Sequence, residues 1–283
     1  MRPDVSALSP PATRSTEVTV DKLRLADSIL RVAVGCWFTV TLVGQWLFMY
    51  YVVALYGAST VSGHFEDWMN KPLFRGYIRG DTVGNFSFAA HVLFAAVVTF
   101  GGIVQLVPQI RARASAVHRW VGRAFLLATT AVGASGLYMV WVRHASFDVI
   151  HSCAVSLNAV LTLVFTTLAW RTARGRDIAS HRRWALRTFV VANGPGLFVR
   201  VAYAGWAVLA DGAGTNGEMS GPMNYVFAFA VYLLPLAILE LYLRGRDSAR
   251  PAIRFAIALV VVAVTAYVAI GTYQATISRI AVV

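Results

Sequence analysis

The chain has 283 residues, 58% of them hydrophobic and 13% charged, with a mean hydropathy of +0.62, more apolar surface than a soluble globule of this size can bury. Its net charge of +12 comes from 25 Lys and Arg against 13 Asp and Glu, and 23 of the 25 cations are Arg. Because these cations sit in short clusters between apolar runs of membrane-spanning length, they read as a topology signal rather than a groove for the phosphates of a nucleic acid, which is not expected as a partner.

Residues 1–27 hold Pro3, Pro10 and Pro11 among several Ser and Thr and lack a signal-peptide type of apolar segment, so they are expected to form a disordered cytoplasmic tail. Seven apolar segments follow at about 29–56, 86–107, 118–142, 149–170, 184–209, 225–243 and 255–273, each long enough to cross about 30 Å of hydrocarbon. The expected fold class is therefore all-α and polytopic, with seven transmembrane helices over residues 28–275 and a short outer tail at 276–283. Nineteen of the 25 cations fall on the side of the amino terminus, which predicts a multi-pass membrane protein with its amino terminus in the cytoplasm.

The long connection at 57–85 interleaves Phe65, Trp68, Phe74 and Tyr77 with Glu66, Asp67, Lys71 and Arg75, the pattern of an outer interfacial loop. In the fifth segment, Asn193-Gly194-Pro195-Gly196 must break the helix and free backbone groups that need partners. Small residues at Gly101, Gly102, Gly133 and Gly136 allow close approach of helices or of a flat ligand. Cys36 and Cys153 lie inside apolar runs and form neither a disulfide framework nor, alone, a metal site.

Four of the six histidines, His91, His118, His151 and His181, occur one per helix near the ends of segments two to five. Helices two and four run the same way, as do three and five, so His91 with His151 and His118 with His181 form two pairs near opposite membrane faces. A weak repeat strengthens this pairing: His91 leads through a helix and an Arg-bearing turn to His118-Arg119-Trp120, as His151 leads to His181-Arg182-Arg183-Trp184. Paired imidazoles on facing helices suit axial ligation of haem iron, giving one or two haem b groups. Arg123 and Arg187, five and six residues after the inner histidines, suit the propionates. His64 and His144 fall in outer connections. Arg200, deep in the fifth segment with no Asp or Glu at its level, calls for an anionic partner in the bundle, either a propionate or a solute. Glu240 is expected to pair with Arg244 one turn on.

His91, Gly102, Gln105, Pro108, Arg111, His118-Arg119, Gly122-Arg123, His181-Arg182-Arg183-Trp184, Arg187 and Arg200 together resemble the bacterial predicted-membrane-protein family known as domain of unknown function 2306, over about 88–200. The placement of the histidines is similar to that of cytochrome b561, a two-haem electron carrier. That resemblance implies an oxidoreductase component with an outer haem on His91 and His151 and an inner one on His118 and His181. The expected function is transmembrane electron transfer, with membrane lipids and an unknown donor and acceptor as partners; a homo-oligomer is compatible with the sequence. Two alternatives stay open: a transporter or lipid-interacting protein binding an anionic solute at Arg200 and the kinked fifth helix, and a copper site built from the same histidines. No Ser-His-Asp arrangement, phosphate loop or His-Glu-x-x-His pattern supports hydrolase chemistry.

Overall fold

The computed structural model describes residues 14–64 and 77–280, and every regular element in it is helical. Helix α1 (Arg14–Val52) continues through a π turn into the short α2 (Ala58–Ser62), and α3 (Thr82–Leu106) is followed by the one-turn α4 (Pro108–Arg113). Then come α5 (Ser115–Trp141), α6 (Val149–Arg174), α7 (Ile178–Ala192), α8 (Val199–Ala210), α9 (Pro222–Gly245) and α10 (Pro251–Ile280). Six of these, α1, α3, α5, α6, α9 and α10, are long and apolar enough to cross a membrane.

Three of the acids start helices. The side chains of Asp81, Asp148 and Asp177 accept from the backbone N–H groups of Gly84, His151 and Ser180 at 2.8, 2.8 and 3.0 Å, capping α3, α6 and α7. Proline opens α4, α9 and α10, where its missing N–H costs nothing.

The structure differs from the expected boundaries at both ends. α1 begins at Arg14, so the segment 14–27 read as tail is helical, and Asp27 binds Arg31 one turn on as well as Arg254 of α10 at 3.5 Å. Residues 1–13 lie outside the described residues, as do 65–76, which hold most of the aromatic pattern of the 57–85 loop. α10 runs to Ile280, into the stretch read as an outer tail.

The fifth expected span is divided. α7 and α8 are separated by a π turn at Gly194–Phe198, and neither piece alone has the length of a span. Proline has no N–H to donate and glycine adds little stiffness, so the chain widens here to bonds such as Phe198 N–H to Asn193 O at 3.3 Å. The break is gripped from several sides. Asn193 donates to Phe189 O at 2.8 Å, which fixes its amide, and accepts from Gln45 of α1 at 2.8 Å. Asn158 of α6 donates to Val191 O at 2.9 Å. Gly194 lies so close to α9 that a Cβ there would sit 2.7 Å from that of Tyr232.

Helix directions follow from paired contacts. His91 meets Ser135 at one end of α3 and α5, and Gln105 meets His118 at the other, so these two helices are antiparallel. Trp141 with Ser156 and Thr129 with Thr166 make α5 and α6 antiparallel, and Asn158 with Val191 and Ala169 with His181 do the same for α6 and α7. Helices α3, α5, α6 and α7 thus form an up-and-down series packed in sequence, α3 on α5, α5 on α6 and α6 on α7. Its middle is filled by Phe125 and Phe189 against Gly101 and Gly102. Along α9, Arg187 meets Glu240, Gly194 meets Tyr232, and Tyr203 of α8 meets Asn224. α7, the π turn and α8 therefore travel together along most of α9. Finally, α1 and α10 are parallel neighbours: contact proceeds from Asp27 and Arg254, through Leu30, Ala33, Ile257 and Ala258, to Gly44 and Thr272.

Candidate functional site

The four histidines of the helix series lie toward its two ends but at different depths: His91 meets Ser135, which the α5–α6 contacts Trp141–Ser156 and Thr129–Thr166 set level with the middle of α6, whereas His151 is in the first turn of α6. His91 and His151 lie toward the end formed by the start of α3 and the start of α6, and His118 and His181 lie at the starts of α5 and α7. The charges of Arg111 and Arg119 act on the His118 ring at the inner end. His64 and His144 are exposed.

Three of the four rings are held by Nδ1. The Ser135 hydroxyl lies 2.9 Å from Nδ1 of His91 and 2.7 and 3.2 Å from the carbonyls of Ala131 and Val132; with its hydrogen on a carbonyl it accepts from Nδ1–H of the imidazole. His151 directs Nδ1 at the Asp148 carboxylate, 3.1 Å away, and His181 directs Nδ1 at the carbonyl of Ala169 at 2.9 Å, and neither acceptor has a proton to give. In the neutral imidazole each anchored ring then keeps the lone pair of Nε2 free. This is the tautomer and the support that ligating histidines characteristically have. His151 is 8% exposed, packed between Phe147 and Tyr225 with ring centroids 5.1 and 5.4 Å away, and its Nε2 is buried without a protein partner. His118 has its Nδ1 buried without a protein partner, while Gln105 donates to its backbone carbonyl at 3.0 Å.

Burial tends to raise the Asp148 carboxyl, but the His151 backbone N–H, the His151 ring and the Tyr225 hydroxyl outweigh it and hold the group below the usual carboxylate value. At the same rim Arg143, with a side chain only 4% exposed, donates to Asp81 at 2.9 Å and to Asn85 at 2.8 Å. The Gly84 N–H and this guanidinium hold Asp81 below its ordinary value. Arg143 enters the sequence reading only as a charge on the outer side, because its partner lies 62 residues away.

The three arginines expected at anions are engaged otherwise. Arg187 forms a two-pronged pair with Glu240, Nε to Oε1 at 2.5 Å and Nη2 to Oε2 at 3.1 Å, because α7 packs against α9; its guanidinium also stacks on Trp184. Arg244, the expected partner of Glu240, is 3.8 Å away and 82% exposed. Arg123 is exposed and stacks 4.7 Å over Trp120. Arg200 donates to the carbonyls of Gly196 at 2.7 Å and Pro195 at 3.3 Å and lies 4.5 Å over the Phe48 ring. The helix break supplies the electronegative groups that Arg200 needs, and Arg200 satisfies carbonyls that the break frees.

Among the described residues no group of three or more His, Cys, Asp or Glu converges on a point that could hold a metal ion. The copper alternative is thus left without a protein ligand set there, whereas a haem, which brings four nitrogen donors of its own, asks for only two histidines. The Nδ1 anchors of His151 and His181, which leave Nε2 free, suit each ring singly to such a role.

The family model described as a predicted membrane protein, DUF2306, matches residues 88–212, from Phe88 in α3 to just past the end of α8. This stretch is similar to that family and contains all four paired histidines and the broken helix. Neither the curated proteins nor the solved structures give a match. Together with the six apolar helices, the family match identifies a multi-pass membrane protein.

Proposed function

We propose that this membrane protein carries electrons between the two faces of the bilayer through haem b held by paired histidines, His91 with His151 at the outer end and His118 with His181 at the inner end. The observation that carries the reading is the common anchoring of His91, His151 and His181 through Nδ1, which leaves Nε2 directed away from its support. When bound, haem supplies one-electron chemistry, and the protein contributes its position and potential. Ser135 and the Ala169 carbonyl fix ring orientation, and the Asp148 carboxylate also makes the His151 ring a stronger donor. The close packing of Phe125 and Phe189 in the middle keeps water out between the two ends.

A path across the bilayer also needs the helices of both pairs to cross it, which favours seven spans. α1 and α10 are parallel, so an odd number of crossings must separate them; α3, α5, α6 and α9 provide four, and the broken α7–α8 unit, which follows α9 along most of its length, provides the fifth. The charge asymmetry then puts the amino terminus in the cytoplasm of a bacterial cell. The alternative, an anionic solute at Arg200 and the broken helix, would have to share Arg200 with the Pro195 and Gly196 carbonyls.

Single variants test the pairing. His91→Ala and His151→Ala should remove the same haem, and His118→Ala and His181→Ala the other, as seen in haem content and in a two-component redox titration. Unchanged haem content in all four variants would refute the assignment.

A further inference from the structure

The connection 107–119 carries three arginines and no acid, and the connection 171–183 carries five arginines and the single acid Asp177. Both lie at the inner end of the helix series, beside His118 and His181. All eight arginines are exposed, and among the described residues none of them forms an ion pair with a carboxylate. Asp177 is committed to capping α7 and acts on Arg183 only at longer range. Gln105 at the end of α3 meets His118 at the start of α5, and Ala169 near the end of α6 meets His181 at the start of α7, so both connections lie on one rim of the series. Like charges gathered this way are held at a cost that an external anion would offset.

The surroundings of the rim and the chemistry of its cations indicate the anion. Trp120, Trp170, Val117 and Ile178 are 68, 40, 48 and 51% exposed at the same level of the bundle, an arrangement suited to the headgroup layer and unsuited to a surface facing a soluble partner. Every cation of the rim is an arginine, as are 23 of the 25 in the chain. The planar guanidinium offers two parallel donors to a phosphate, which an ammonium does not.

We propose that this rim is a binding site for an anionic phospholipid, whose phosphate is held by guanidinium forks from both connections, Arg111 and Arg119 on one side and Arg182 and Arg183 on the other. The ligand is the lipid headgroup in the bilayer, with the exposed indoles against its glycerol and upper acyl region. The site stands independently of any haem.

The test is native mass spectrometry of the full-length purified protein titrated with dioleoyl phosphatidylglycerol or dioleoyl phosphatidylcholine. The protein should retain phosphatidylglycerol preferentially, and each of the four arginines changed to Gln should reduce that preference about fivefold. Because loss of charge could also disturb insertion, a variant with all four changed to Lys keeps the topology signal and should still lose several-fold in preference. Equal retention of the two lipids, or a Lys variant indistinguishable from the original chain, would overturn the proposal. So would competition by soluble poly-glutamate that displaces phosphatidylglycerol, which would assign the rim to an acidic protein.

Discussion

The Arg187–Glu240 pair joins α7 to α9 across 53 residues of sequence, and its energy can be measured against a local competitor in the same molecule. The two side chains are 17 and 26% exposed and make two short contacts, whereas Arg244 is 82% exposed and 3.8 Å from the same carboxylate. Breaking a fully buried ion pair costs about 3–5 kcal/mol, and partial exposure of both partners brings the expected cost of Arg187→Met down to about 2 kcal/mol. Arg244→Met should cost no more than about 0.5 kcal/mol, as befits an exposed pair at helical spacing. Glu240→Gln combined with each change completes two double-mutant cycles, with coupling of about 1.5 kcal/mol expected for Arg187 and close to zero for Arg244. Reversible unfolding in mixed micelles, followed by helical circular dichroism, gives these values. A coupling to Arg244 equal to or larger than that to Arg187 would refute the reasoning.

Three further outcomes are expected under the same assay. Gly194→Ala places a methyl against Tyr232 and should cost about 1–3 kcal/mol through overpacking of α7 on α9. Gln45→Leu leaves the buried Asn193 amide oxygen without its donor and should cost about 1–3 kcal/mol; in the Asn193→Leu background the same change should cost much less. Asp81 is held below its ordinary value of 3.8, so its contribution is complete above that pH and is lost as pH falls through the lower folded value. Asp81→Asn should therefore lower stability at neutral pH and flatten the acid limb of the stability profile.

Much of the helix framework is legible in the sequence because membrane spans are apolar by necessity, and the break in the fifth segment announces itself as Asn193-Gly194-Pro195-Gly196. The placement of two histidines toward each end of the helix series also follows from helix parity, but their depths do not, because His91 is nine residues into α3 and His151 is in the first turn of α6. The partners of the charged residues are not legible, for definite reasons. Arg200 needs electronegative atoms, and the sequence shows no carboxylate at its level; backbone carbonyls have no letter in a sequence, so the link between the lone arginine and the broken helix appears only in three dimensions. Glu240 has a cation at helical spacing, yet helix packing brings Arg187 nearer and with better geometry. Arg143 likewise reads as one more charge in a loop until the fold seats it on Asp81 and Asn85. The anchors of the imidazoles, Ser135, Asp148 and the Ala169 carbonyl, are a hydroxyl, a helix cap and a backbone group, none of which signals a histidine partner by type.

The central claim is that four histidines hold haem b in a transmembrane bundle. The most direct measurement is the absorption spectrum of the protein purified from haem-replete cells, air-oxidised and then reduced with dithionite, with pyridine haemochrome quantitation of haem per chain. Six-coordinate, low-spin haem b at one to two equivalents per chain, with sharp bands appearing on reduction, is the result expected for bis-histidine ligation. A folded, monodisperse protein with no absorbance beyond its aromatic residues, and none after haem is added, would contradict it.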